Sequence, residues 1–151
     1  MASNALYPVF TMPQTVTRRQ EAQPAVAYPR SYAFDFETGD FLVDGAGRVP
    51  TLNGHRTWAQ WVLKTVLTQR FAHLVYSARY GLDLARVLGQ PQPAVATAEF
   101  QREVTEALLT DRRTRAVSNV TVTRRGDEAT ATFTAMPTVG APDTIEVTLR
   151  G

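Results

Sequence analysis

Hydrophobic positions along this chain follow a period of two, then a helical period, then a period of two again. From Tyr32 to Glu37 apolar and polar residues alternate, with Tyr32, Phe34 and Phe36 on one face. Thr38-Gly39-Asp40 supplies a turn and Phe41 to Asp44 a returning partner, so a small hairpin is predicted before the Gly45-Ala46-Gly47 loop. From Gly54 to Gln69 the spacing becomes helical. Trp58, Trp61, Val62, Thr65, Val66 and Gln69 share one face, and Leu63 and Leu67 widen the apolar stripe. Two tryptophans on one helical face read as core, and Asn53 or Thr57 is the expected cap. Phe71 to Ser77 is a short run of aromatic and β-branched residues that predicts a strand or extended segment, broken at Tyr80-Gly81. Leu82 to Leu88 predicts a short helix closed by Gly89, with Pro91 and Pro93 in a linker. Val95 to Thr110 predicts the second long helix, with Phe100, Val104, Ala107 and Leu108 on its buried face and Asp111-Arg112-Arg113 at its end.

The remainder alternates. Arg115 to Thr123 carries Val117, Val120 and Val122, and Arg125-Gly126-Asp127 is a hairpin signal. Ala129 to Met136 sets alanines and Phe133 against threonines. After a loop at Pro137 to Pro142, Asp143 to Arg150 sets Ile145, Val147 and Leu149 against Thr144, Glu146 and Thr148. Helices precede strands instead of alternating with them, which argues α+β over a parallel βαβ sheet. The expected fold class is α+β: an N-terminal extended arm and hairpin, two main helices plus a short one, and a C-terminal antiparallel three-stranded meander.

Residues 1–31 keep neither period and hold Pro8, Pro13, Pro24 and Pro29, so they read as an extended arm before a single domain over residues 32–151. The arm carries apolar residues in two clusters, among them Tyr7 and Phe10 near its start and Tyr28 near its end. They suit an arm that orders by laying anchors on a neighbouring molecule.

Composition narrows the chemistry. With 151 residues, 44% of them hydrophobic, the body can bury a core without a staple, and the absence of Cys removes disulfides, thiolate nucleophiles and cysteine-ligated metals. His55 and His73 are the only histidines, too few for a histidine-rich metal site. No apolar run spans a membrane and no secretory signal is expected. Arg18, Arg19 and Arg30 against Glu21 give the arm a net charge of +2, which is the whole formal excess, so the body is neutral. A neutral body is a poor nucleic-acid binder, because such affinity comes from neutralising many phosphates.

Motifs for catalysis are sparse. Gly45-Ala46-Gly47 lacks a third glycine and a following helix, and the one lysine, Lys64, lies mid-helix, so no phosphate cradle is indicated. Glu99, Glu103 and Glu106 share a helical face and offer an acid pair to a glycosidase, but beside Arg102 they read as a solvated face. Asp35, Asp40 and Asp44 read as turn acids. His73 reads as a partly buried strand histidine and His55 as an exposed one. No catalytic residue, cofactor site or metal site is predicted.

An ordered set of segments resembles a family. Tyr32-Ala33-Phe34-Asp35-Phe36-Glu37-Thr38-Gly39-Asp40-Phe41, then Gly54 and Trp61, then Leu67-Thr68-Gln69-Arg70-Phe71, then Tyr76-Ser77 and Tyr80-Gly81, resembles the baseplate wedge or sheath-initiator proteins of contractile phage tails. The closer likeness is to the branch in defective prophage particles, over residues 32–151. Many relatives carry Gly-Glu-Arg after the first helix; Thr68-Gln69-Arg70 keeps only the Arg. The resemblance implies a non-enzymatic virion part at the tail baseplate, assembled in the host cytoplasm. Six copies would ring the tube, with other wedge proteins, tube or hub proteins and the tail sheath protein as partners. It implies wedge or tube contacts at Arg70, Tyr76 and Tyr80. It also implies sheath strands adding to the terminal sheet along Ile145, Val147 and Leu149, since an unprotected terminal strand is a pairing edge. Two alternatives stand beside it. One is a cell-wall hydrolase, from an older "lysozyme-like" label in the family. The other is a small tail adaptor or DNA-binding accessory.

Overall fold

The computed structural model describes residues 28–126 and 128–150. Its elements are β1 (Ser31–Tyr32), β2 (Phe34–Asp35), β3 (Asp40–Phe41), β4 (Thr51–Leu52), α1 (His55–Leu67), α2 (Leu84–Leu88), α3 (Pro93–Leu109), β5 (Thr114–Arg125), β6 (Glu128–Pro137) and β7 (Asp143–Arg150). The architecture is α+β, with three helices and a three-stranded antiparallel sheet in the order β5-β6-β7.

The sheet follows from its alternation. On β6, Ala129, Ala131, Phe133 and Ala135 are buried; on β7, Ile145, Val147 and Leu149 are buried while Thr144, Glu146 and Thr148 are exposed. The helices pack on that inner face. Trp58, Val62 and Val66 of α1 and Phe100, Val104, Ala107 and Leu108 of α3 are all fully buried, each large side chain contributing about 1.5–3 kcal/mol by leaving water. Three alanines beside one phenylalanine leave depth for large helical side chains, and Phe100 meets Phe133 with ring centroids 6.0 Å apart. Trp58 also donates its indole N–H to Thr114 Oγ1 at 3.0 Å, which satisfies its buried polar atom.

The sheet's two edges differ. β5 shifts register between Thr114 and Ala116 and again between Ser118 and Thr121, and Asn119 sits at φ 53°. β7 pairs with β6 in unbroken register from Glu128↔Arg150 to Ala135↔Asp143. Among the described residues no strand pairs with its outer side.

Several elements depart from expectation. The predicted hairpin is two small ladders: β2 with β3 (Phe34↔Phe41), and β1 with β4 (Ser31↔Leu52). Tyr32 does not share a buried face with Phe34 and Phe36. It is 61% exposed and Ala33 is the buried residue, while Phe34 packs edge-on to Phe36 and Phe41. Gly54, at φ 60°, is the N-cap of α1, in place of Asn53 or Thr57. The predicted strand over Phe71 to Ser77 does not form. The segment is a chain of turns, closed by Ala72 N–H to Gln69 O, Tyr76 N–H to His73 O and Tyr80 N–H to Ser77 O. His73 is therefore exposed in a turn, edge-on to Tyr76, and not half-buried in a strand.

Candidate functional site

Two surfaces carry the residues that the sequence singled out: the loop between α1 and α2, and the outer edge of β7.

The loop is closed at its base by backbone. Arg70 N–H donates to Leu82 O at 2.9 Å and Leu82 N–H to Thr68 O at 3.0 Å. Gly81 is required there: it sits at φ +83°, and a Cβ would stand 2.5 Å from the Thr68 carbonyl oxygen. The side chain of Arg70 completes the closure. Its Nε donates to Gly81 O at 3.1 Å, and its guanidinium makes ion contacts with Glu103 at 3.3 Å and Glu106 at 3.6 Å. Glu103 is only 2% exposed and is the hub of this cluster. It accepts from Arg102 at 2.7 Å and from the backbone N–H of Asp83 at 3.4 Å, so one carboxylate ties the loop, the start of α2 and α3 together. The predicted solvated face of three acids is thus corrected for Glu103. It is buried and charge-paired, as a buried carboxylate must be. Glu99 and Glu106 are also engaged, both with Arg102. The Arg102 guanidinium is held more firmly protonated, first by its hydrogen bond to Glu99.

Tyr76 and Tyr80 stack on each other, centroids 4.4 Å apart, and the Lys64 ammonium of α1 lies 5.2 Å from the Tyr76 ring. Hydrogen bonding to Tyr76 is the main reason the Lys64 ammonium is held above its ordinary value, against the opposing effect of burial. Of the residues expected at a wedge or tube contact, Arg70 thus sits in the base of the loop, while Tyr76 and Tyr80 stack half-buried in the same loop. What the loop presents outward is Phe71, Leu74 and Val75, at 74%, 105% and 83% exposure. Sequence reasoning placed them in a strand and missed them as surface. Phe71 stands at φ 66°, a left-handed conformation that costs a bulky residue about 1–3 kcal/mol and is held by the closure around it.

At the sheet, Ile145, Val147 and Leu149 face the core. What β7 offers outward is its backbone and the alternating residues between them. The neighbouring β6–β7 loop receives Tyr28, whose hydroxyl donates to Val139 O at 2.8 Å and accepts from Val139 N–H at 3.3 Å. Tyr28 is thus seated on its own domain. The other two expected anchors, Tyr7 and Phe10, lie outside the described residues. His55 closes the same corner, with Nε2 at 3.0 Å from Ala141 O and 3.4 Å from Asp143 Oδ2. At the opposite corner Arg113 lies over the Trp61 ring at 5.3 Å and pairs with Asp111. Burial pushes the Asp111 carboxyl up, but the Arg113 side chain and backbone N–H outweigh it and hold it below the ordinary 3.8.

This combination is a helix-backed sheet with one regular edge, strand-free among the described residues, and a clamped loop that exposes apolar side chains. Residues 30–139 match the contractile injection system sheath initiator family, and the chain belongs to it. It is also similar to the phage-like element PBSX protein XkdS of Bacillus subtilis (strain 168), at 28% identity over 78% of this chain and 81% of that protein. The family is a structural part of contractile tails. Its match ends before β7 begins.

Proposed function

We propose that this chain is a baseplate component of a phage or phage-derived contractile tail that joins the wedge to the hub and tube and templates the first sheath ring by strand addition at β7. Family membership supplies the contractile-tail role. The observation that carries the finer reading is the contrast between the sheet's edges. β5 is bulged twice, and bulges bend an edge away from pairing. β7 is regular over its length and free of proline. Six copies around the tube would present six such edges in one ring. The loop at Phe71, Leu74 and Val75 would meet the wedge, with Arg70, Tyr76 and Tyr80 supporting it from within.

Proline substitutions test this. In an antiparallel strand neighbouring residues point their N–H groups to opposite sides. Of Val147→Pro and Thr148→Pro, one removes a donor to β6 and the other a donor to the open edge. Amide hydrogen exchange of the wild-type chain tells them apart, since the N–H bonded to β6 is protected; proline at the unprotected position is the edge variant. In a particle-producing strain lacking the native gene, that variant should give tubes and baseplates without sheath in electron micrographs. Normally sheathed particles would sink strand addition at β7.

A further inference from the structure

A groove of about 820 Å³ runs beside β7, between that strand, the C-terminal half of α1 and the β2–β3 hairpin. Phe34, Phe36, Leu63 and Leu67 give it apolar walls, and Val147 and Thr148 border it from the strand. Three acidic residues are among its lining, Asp35, Glu37 and Glu146, and the lining contains no Lys or Arg. Among the described residues Glu37 and Glu146 form no ion pair. Asp35 accepts from Glu37 N–H and the Thr38 hydroxyl, the main reasons its carboxyl lies below the ordinary value and stays ionised. The opposite edge of the sheet has the other sign, with Arg115, Arg124 and Arg125 on β5.

A strand added to β7 would lie about 4.7–4.9 Å from it, at the mouth of this groove. Its alternate side chains would enter apolar surroundings and cover part of the carboxylates' solvent. A carboxylate deprived of water without a counter-charge opposes binding, and an acidic strand adds direct repulsion. A strand with basic residues beside its apolar ones satisfies both demands.

We infer that the groove beside β7 selects its incoming strand by charge: the sheath segment that adds there carries Lys or Arg flanking its alternating apolar residues. The inference rests on the strand addition proposed above and names the chemistry of the partner. Its test uses the full chain and the purified sheath protein of the same particle. Glu37→Lys with Glu146→Lys changes two exposed side chains, so the melting temperature should hold. Affinity for sheath should fall about tenfold or more, and the weakening of wild-type binding between about 50 mM and about 300 mM salt should disappear. Changing the basic residues of the sheath strand to Glu should restore binding to the Lys variant. If the double variant binds within about twofold of wild type with an unchanged salt slope, while the edge proline variant binds no sheath, charge selection is overturned and strand addition stands. If the edge proline variant binds sheath normally, strand addition falls, and this inference with it.

Discussion

The α1–α2 loop and the outer edge of β7 both face solvent, and they are held by opposite means. The loop has no ladder. It keeps its shape through short turns, a glycine that no other residue can replace, and a guanidinium locked onto a buried carboxylate. It presents side chains, namely Phe71, Leu74 and Val75. The β7 edge is held by its register with β6 and by three side chains sunk in the core, and it presents backbone. A surface that recognises through side chains can be tuned residue by residue. A surface that recognises through backbone accepts any strand that fits, and needs its neighbouring groove for discrimination. The loop therefore depends on its backbone closure and on a small charge cluster centred on Arg70 and Glu103, whereas the edge depends on the whole sheet.

Removing the hub of the loop should have the largest effect. Glu103→Ala leaves the Arg70 guanidinium with only the half-exposed Glu106, 3.6 Å away, as counter-charge, at a cost toward the lower end of about 3–5 kcal/mol. Hydrogen exchange should then show the amides between Gln69 and Leu82 losing protection first, with β7 still protected. Equal loss in β7 would mean that the two regions are one cooperative unit, and the contrast would fail. A smaller effect is expected on the sheet side. Tyr28→Phe removes the hydroxyl that bridges Val139, costing about 1 kcal/mol in urea unfolding while β7 keeps its pairing. The smallest stability effect belongs to Leu74→Ser with Val75→Ser, within about 0.5 kcal/mol of wild type because both side chains are already in water. The same variant should nevertheless lose wedge incorporation in pull-downs with purified wedge protein. Full incorporation would show that the exposed loop is not the contact.

Periodic elements were legible because each repeats one local rule. The stripe on α1, the face of α3 and the alternation on β6 and β7 identified the core nearly residue by residue, including Trp58, Phe100, Phe133 and Val147. The loop was not legible. Phe71, Leu74, Val75 and Tyr76 have the composition of a buried strand, and composition reports solubility, not neighbours. Glu103 looked like its exposed helical companions for the same reason: its partner Arg70 lies on another element, and no local pattern records that meeting. Arg70 itself was singled out by resemblance, as a contact residue, and its place inside the fold came from the structure.

The sequence by itself determined the class, the element order and the two-faced character of the terminal sheet, since these depend on spacing of 2 or about 3.6 residues. It also determined the resemblance to sheath initiators, through an ordered set of short segments. Only the tertiary structure decided which of the sheet's two edges is regular, because the register shifts at Thr114–Ala116 and Ser118–Thr121 emerge when β5 is matched against β6. Only the tertiary structure brought Asp35, Glu37 and Glu146 to one groove and buried Glu103 against Arg70. The physical reason is the same in each case. Hydrophobic periodicity is a local property written along the chain, whereas charge pairing and edge exposure are properties of distant segments that meet only after the core has formed.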